Sequence, residues 1–118
     1  MRFVPLIPLL LLAACSPGSK LRDRLTGTWT RGDTFEMTLA ADGRFISQWK
    51  VPTKSLTYMG TWKVQGSSVV SIITNCSAQD TTNFEKVGTT EHWVIIRADQ
   101  SELVWSNNEQ TVSLKRKK

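Results

Sequence analysis

Few side chains in this sequence can do chemistry, and their spacing limits what that chemistry is. His92 is the sole histidine, and Cys76 is one of two cysteines. A thiol and an imidazole can form a nucleophile–base pair, the imidazole taking the proton from sulfur. Such a pair also needs a group that orients the base and donors for an oxyanion. No glycine-rich loop or orienting motif accompanies either residue. A lone thiol that follows a strand more commonly packs as a small, inert hydrophobe. A metal centre needs several ligands at close spacing. His92, flanked by Glu91 and Trp93, has no such partners. Asn75-Cys76-Ser77 fits the N-glycosylation acceptor pattern, which is common by chance. The expectation is a non-enzyme with no metal and no cofactor.

Cys15 stands in a different context. Met1 and Arg2 make a short charged start, and an apolar run follows from Phe3 to Ala14. The run is shorter than the roughly 20 residues a spanning helix needs. It matches the apolar core of an export signal, about 7–15 residues. Pro5 and Pro8 also oppose a stable spanning helix, because each removes a backbone donor and crowds the preceding turn. The run ends in Leu12-Ala13-Ala14-Cys15, which resembles the bacterial lipobox. The resemblance implies cleavage before Cys15, so that residues 1–14 are a lipoprotein signal peptide. It also implies diacylglycerol on the Cys15 thiol and acylation of the new amine, with acyl chains such as palmitate. One acyl chain binds a membrane only marginally, and a second makes the anchoring stable. In that family an aspartate after the cysteine retains the protein at the inner membrane. Ser16 takes that place here, which favours the outer membrane, facing the periplasm. Without its first 14 residues the 118-residue chain keeps 104, with 14 basic and 10 acidic side chains. With Cys15 lipidated, Cys76 has no intrachain disulfide partner, and one small domain must hold together by packing alone.

The elements that follow are strands. Residues 15–24 read as a polar tether reaching about 35 Å at most, with room for one helical turn over Lys20–Leu25. Beyond it, Thr34 to Leu39 alternates polar and apolar with period two, as a half-buried strand requires. Phe45, Trp49 and Val51 share one parity, as do Tyr58, Trp62 and Val64. Short β-branched runs cover Val69–Thr74 and Trp93–Ile96. Arg31-Gly32-Asp33, Asp42-Gly43, Gly66-Ser67, Asp99-Gln100-Ser101 and Asn107-Asn108 supply turn chemistry between them. The pattern predicts eight strands, at 26–31, 34–40, 44–51, 57–65, 68–74, 84–97, 102–107 and 110–116. Pro52–Leu56 and Asn75–Asn83 are the longer loops. An up-and-down meander of this size closes most easily into a barrel, which removes exposed edges. The expected fold is therefore all-β, a small antiparallel eight-stranded barrel over residues 25–116.

Gly27-Thr28-Trp29 recurs as Gly60-Thr61-Trp62, 33 residues later. Two such strings suggest equivalent places where a tryptophan enters the core and a glycine lets backbones approach. Leu25-Thr26-Gly27-Thr28-Trp29 also resembles the Gly-x-Trp motif of the lipocalin superfamily. Asp42-Gly43-Arg44-Phe45 and Gly60-Thr61-Trp62-Lys63-Val64 are similar to small bacterial lipocalin-like lipoproteins. The resemblance implies that Trp29 plugs one barrel end and that a basic residue of the last strand packs on it. Arg116, in parity with Val112 and Leu114, is that residue here. The chain is shorter than ordinary lipocalins and carries no second lipocalin motif or cysteine staple.

The lipocalin-like reading leaves two functions open. The barrel can bind a small apolar ligand, for which Trp29, Trp49, Tyr58, Trp62, Trp93 and Trp105 are the candidate wall. Alternatively these aromatics fill the core and the protein is a structural or interaction partner of another envelope protein. Filling is the first expectation in so small a domain. With the anchor so near, a membrane-derived molecule is the first candidate ligand. Nucleic acid is not expected as a partner of an exported protein. The basic end Lys115-Arg116-Lys117-Lys118 suits either solvent or anionic lipid headgroups.

Overall fold

A computed structural model describes residues 17–51, 54–77 and 87–118. Helix α1 (Pro17–Leu25) leads into β1 (Gly27–Arg31), β2 (Phe35–Leu39), β3 (Arg44–Val51) and β4 (Lys54–Gln65). β5 (Ser68–Cys76), β6 (Thr90–Ala98), β7 (Glu102–Ser106) and β8 (Thr111–Arg116) complete the chain. Each strand pairs antiparallel with the next, and β8 returns to β1 through Trp29↔Arg116 and Thr30↔Lys115. The barrel is closed, as the eight-strand pattern anticipates. Among the described residues, closure leaves no edge strand to template aggregation.

Alternation fixes which residues fill the inside. Trp29, Met37, Leu39, Phe45, Tyr58, Trp62, Val69, Ile73, Leu103, Trp105, Val112 and Leu114 form one buried cluster with Leu25. All stand at inward parity on their strands, so a slip of one residue would expose a whole strand's apolar set. The β1–β2 and β7–β8 turns lie at one barrel end, where β3 and β5 also finish and β4 and β6 begin. The other end carries α1 and the β2–β3, β4–β5 and β6–β7 turns.

Four boundaries differ from the sequence-based expectation by more than one residue. The stretch expected as tether with one helical turn is a nine-residue helix from Pro17 onward. Pro17 opens it, where a missing N–H costs nothing. Leu21 and Leu25, four apart on one face, pack against the barrel core. Strand β4 begins at Lys54, inside the expected 52–56 loop, because Ser55 and Leu56 pair with Lys50 and Trp49. β5 extends through Asn75 and Cys76, which pair with Met59 and Tyr58 past a bulge at Met59/Gly60. β6 begins at Thr90 rather than 84, because Gly88 turns the chain at φ +95°. Residues 84–86 of that expected strand lie outside the described residues, as do residues 1–14 and Cys15 with its lipobox.

Candidate functional site

The six aromatic candidates separate by depth. Trp29 and Trp62 occupy the end covered by α1. Trp29 is fully buried, and its Nε1 donates to the Leu25 carbonyl at 2.9 Å. The Arg116 guanidinium stacks over its ring, 4.2 Å from the centroid, as the lipocalin resemblance implies. Arg116 also donates to three carbonyls: Nε to Gln100 at 2.9 Å, Nη1 to Thr26 at 3.0 Å and Nη2 to Arg24 at 2.6 Å. The carbonyls of a helix's last turn lack intrahelical donors. Here Thr26 N takes the Arg22 carbonyl, Arg116 takes that of Arg24, and Trp29 takes that of Leu25. The plug is thus also the C-terminal cap of α1, and a cation there complements the helix dipole.

Trp62 repeats the arrangement. Its Nε1 donates to the Ala40 carbonyl at 2.9 Å, and Arg22 of α1 lies 4.7 Å above its ring. Arg22 Nη2 donates to the Ala41 carbonyl at 2.9 Å. The duplicated Gly-Thr-Trp strings therefore place two tryptophans under two arginines, one from β8 and one from α1. The glycines serve close approach. Gly27 has φ +140°, and a Cβ there would strike the Arg116 guanidinium. A Cβ at Gly60 would strike the Ile72 carbonyl and come within 2.6 Å of Phe45 Cε2.

The opposite half of the barrel is hollow. A cavity of about 250 Å³ opens at the end bearing the β1–β2 and β7–β8 turns. Trp49, Tyr58, Trp93 and Trp105 line it, and Trp29 and Trp62 do not. The interior is thus filled at one end and open at the other. Trp93 and Trp105 stack with centroids 5.0 Å apart, and Phe35 meets Trp49 at 4.5 Å. These contacts hold the rings against the wall. Trp49 keeps 38% of its surface exposed at the mouth. Arg31, Glu91, Asn107, Glu109 and Gln110 give the mouth its polar groups. The apolar depth and polar rim suit an uncharged or amphipathic small molecule.

Ser47 was missing from the sequence-predicted wall, although its parity with Phe45 and Trp49 marks it as inward. It lines the cavity with 7% of its surface exposed. Cys76 packs at the edge of the core and His92 is exposed on the outer face of β6, so they do not share a site. Among the described residues no group of three or more His, Cys, Asp or Glu side chains is placed to hold a metal. Nor is any described helix long and apolar enough to cross a membrane.

No protein-family model matches the chain, and no curated protein matches it. Two solved structures do. A lipocalin-like protein from Bacteroides uniformis superposes with TM-score 0.64 at 14% identity, over 80% of this chain and 99% of the other. An uncharacterized protein from Bacteroides eggerthii gives 0.62 at 9% identity, over 79% and 99%. At these identities the likeness is one of fold. Together with the closed eight-stranded topology, it shows that this chain has the barrel fold of a lipocalin-like protein.

Proposed function

We propose that the protein is a lipid-anchored component of the bacterial cell envelope, held at the outer membrane through Cys15, whose barrel binds a small apolar ligand at its open end. The observation that carries the binding reading is the aromatic-walled cavity of about 250 Å³. That volume takes roughly eight non-hydrogen atoms at the ~30 Å³ a water occupies in the liquid. The ligand is therefore a short molecule or the end of a single chain. The hollow open half favours this reading over a purely structural role.

Anchoring rests on the lipobox, and α1 supports a definite orientation. Two residues precede the helix after cleavage, and its C-terminus is bonded to the filled barrel end. The anchor would then hold that end within roughly 20 Å of the bilayer, from about 3.5 Å per extended residue and 1.5 Å per helical one. The mouth would face away from the anchoring membrane, so the ligand arrives from solution or from an apposed surface.

One set of measurements tests both parts. Labelled palmitate should enter the wild-type protein in cells and not the Cys15→Ser variant, which should leave the membrane fraction. Tryptophan emission should shift on titration with medium-chain alcohols and fatty acids. Iodide should quench mouth-exposed Trp49 equally in anchored and soluble protein. Absence of labelling sinks the anchor, and a flat titration across the panel sinks the ligand.

A further inference from the structure

The cavity wall holds a buried polar side chain that the fold does not use. Ser47 lies at mid-depth, three residues from the start of β3 and four from its end. Its register partners on the flanking strands are Met37 and Tyr58. Phe45 and Trp49 flank it at the same parity along β3. Its side chain is more than nine-tenths buried and lines the cavity. Among the described residues its hydroxyl makes no hydrogen bond, although most buried hydroxyls find a partner. A hydroxyl left unpaired in such surroundings lowers stability. An alanine would present the same backbone without that penalty.

We propose that the ligand is an oxygenated short hydrocarbon, carrying one hydroxyl or carbonyl oxygen, and that Ser47 Oγ hydrogen-bonds this oxygen at mid-depth. The inference rests on the ligand-binding reading above and narrows it. The aromatic walls supply contact area, and Ser47 supplies the discrimination. A hydroxyl both donates and accepts, so it serves an alcohol or a ketone equally well. A hydrocarbon lacking oxygen leaves Ser47 unpaired and gains contact area alone.

The test uses three probes of similar length, 1-octanol, 2-octanone and 1-chlorooctane, titrated against the full chain by tryptophan fluorescence. In Ser47→Ala, affinity for octanol and octanone should fall about fivefold, the loss of one neutral hydrogen bond. Affinity for chlorooctane should hold or rise. The ligand-free variant should melt at or above the wild-type temperature, because an unsatisfied group has been removed. Equal changes for all three probes, or none for any, would overturn the assignment. So would a destabilised Ser47→Ala, which would mean that the hydroxyl serves the fold. Binding of none of the probes by the wild type would instead overturn the cavity's role in binding and, with it, this narrower claim.

Discussion

Replacing Arg116 by methionine keeps most of the aliphatic stem and removes the guanidinium. The structure sets the expected cost. Stacking over Trp29 at 4.2 Å contributes about 1 kcal/mol at a partly desolvated site. The part-buried bond from Nη1 to the Thr26 carbonyl adds about 1.5 kcal/mol, as a charged donor does. The bonds to Arg24 and Gln100 are exposed, so solvent screening reduces the pair to roughly 0.5 kcal/mol. The total is about 3 kcal/mol, a substantial part of the 5–15 kcal/mol typical of a small domain. With a urea slope of about 1–3 kcal/mol per molar, the midpoint should fall by roughly 1–3 M. Far-UV circular dichroism is the better probe, because the mutation changes Trp29 emission directly. Arg116→Lys restores a charge over the ring but cannot fork to three carbonyls, and should recover no more than half the loss. A methionine variant within about 0.5 kcal/mol of wild type, or a lysine variant equal to it, would refute the view that the guanidinium ties β8 to α1.

Gly60→Ala should cost at least about 2 kcal/mol by chemical denaturation, because its Cβ meets a backbone carbonyl that cannot rotate away; a neutral effect would show that the Met59/Gly60 bulge is pliable. Acid should expose the turn between β6 and β7. Backbone bonds from Ser101, foremost, hold the Asp99 carboxyl below its ordinary 3.8. A lowered value means a contribution that is full above 3.8 and is lost as pH falls through the folded value. Thermal midpoints taken from pH 6 to 2 should therefore drop less in Asp99→Ala than in wild type below about pH 4, and parallel profiles would remove Asp99 from the account.

Much of the barrel was legible because a strand repeats every two residues. The stretch 34–39 alternates without fault, and the structure pairs Phe35–Leu39 on both sides. The Arg116–Trp29 contact came from a motif together with parity. Of the helix, only the turn over Lys20–Leu25 was legible. Its nine residues hold a proline and a glycine and only two leucines, too little local signal for an isolated helix. What secures it is 90 residues away in sequence, in the reach of Arg116 to the Thr26 and Arg24 carbonyls. The division of the tryptophans was hidden for a related reason. Parity tells inside from outside, whereas depth depends on register between strands and on turn lengths. Trp62 and Trp49 both point inward, yet one donates to Ala40 beside the helix and the other stands at the mouth. A search for large aromatics also passes over Ser47, whose interest lies in being small and polar among them.

The two halves of the barrel constrain one another. A sealed apolar void of 250 Å³ would cost on the order of 6 kcal/mol at ~24 cal/mol per Å³. Opening to solvent relieves part of that, because water enters the mouth. The remainder must be offset in a domain with little surplus stability. The filled end is where that offset is concentrated. Two buried indoles have their N–H groups matched to carbonyls, two arginines stack on them, and a helix is fastened across the opening. Small inward residues, Ser47 and Ser71, keep the other half hollow. Larger apolar side chains at these two positions would fill space and add contact area, so an arrangement set by stability alone would not place serine there. The retained hollow, the orphan hydroxyl within it and the overbuilt floor beneath it suit the proposed binding role, since a rigid cup with its walls already in place loses little freedom when it is filled.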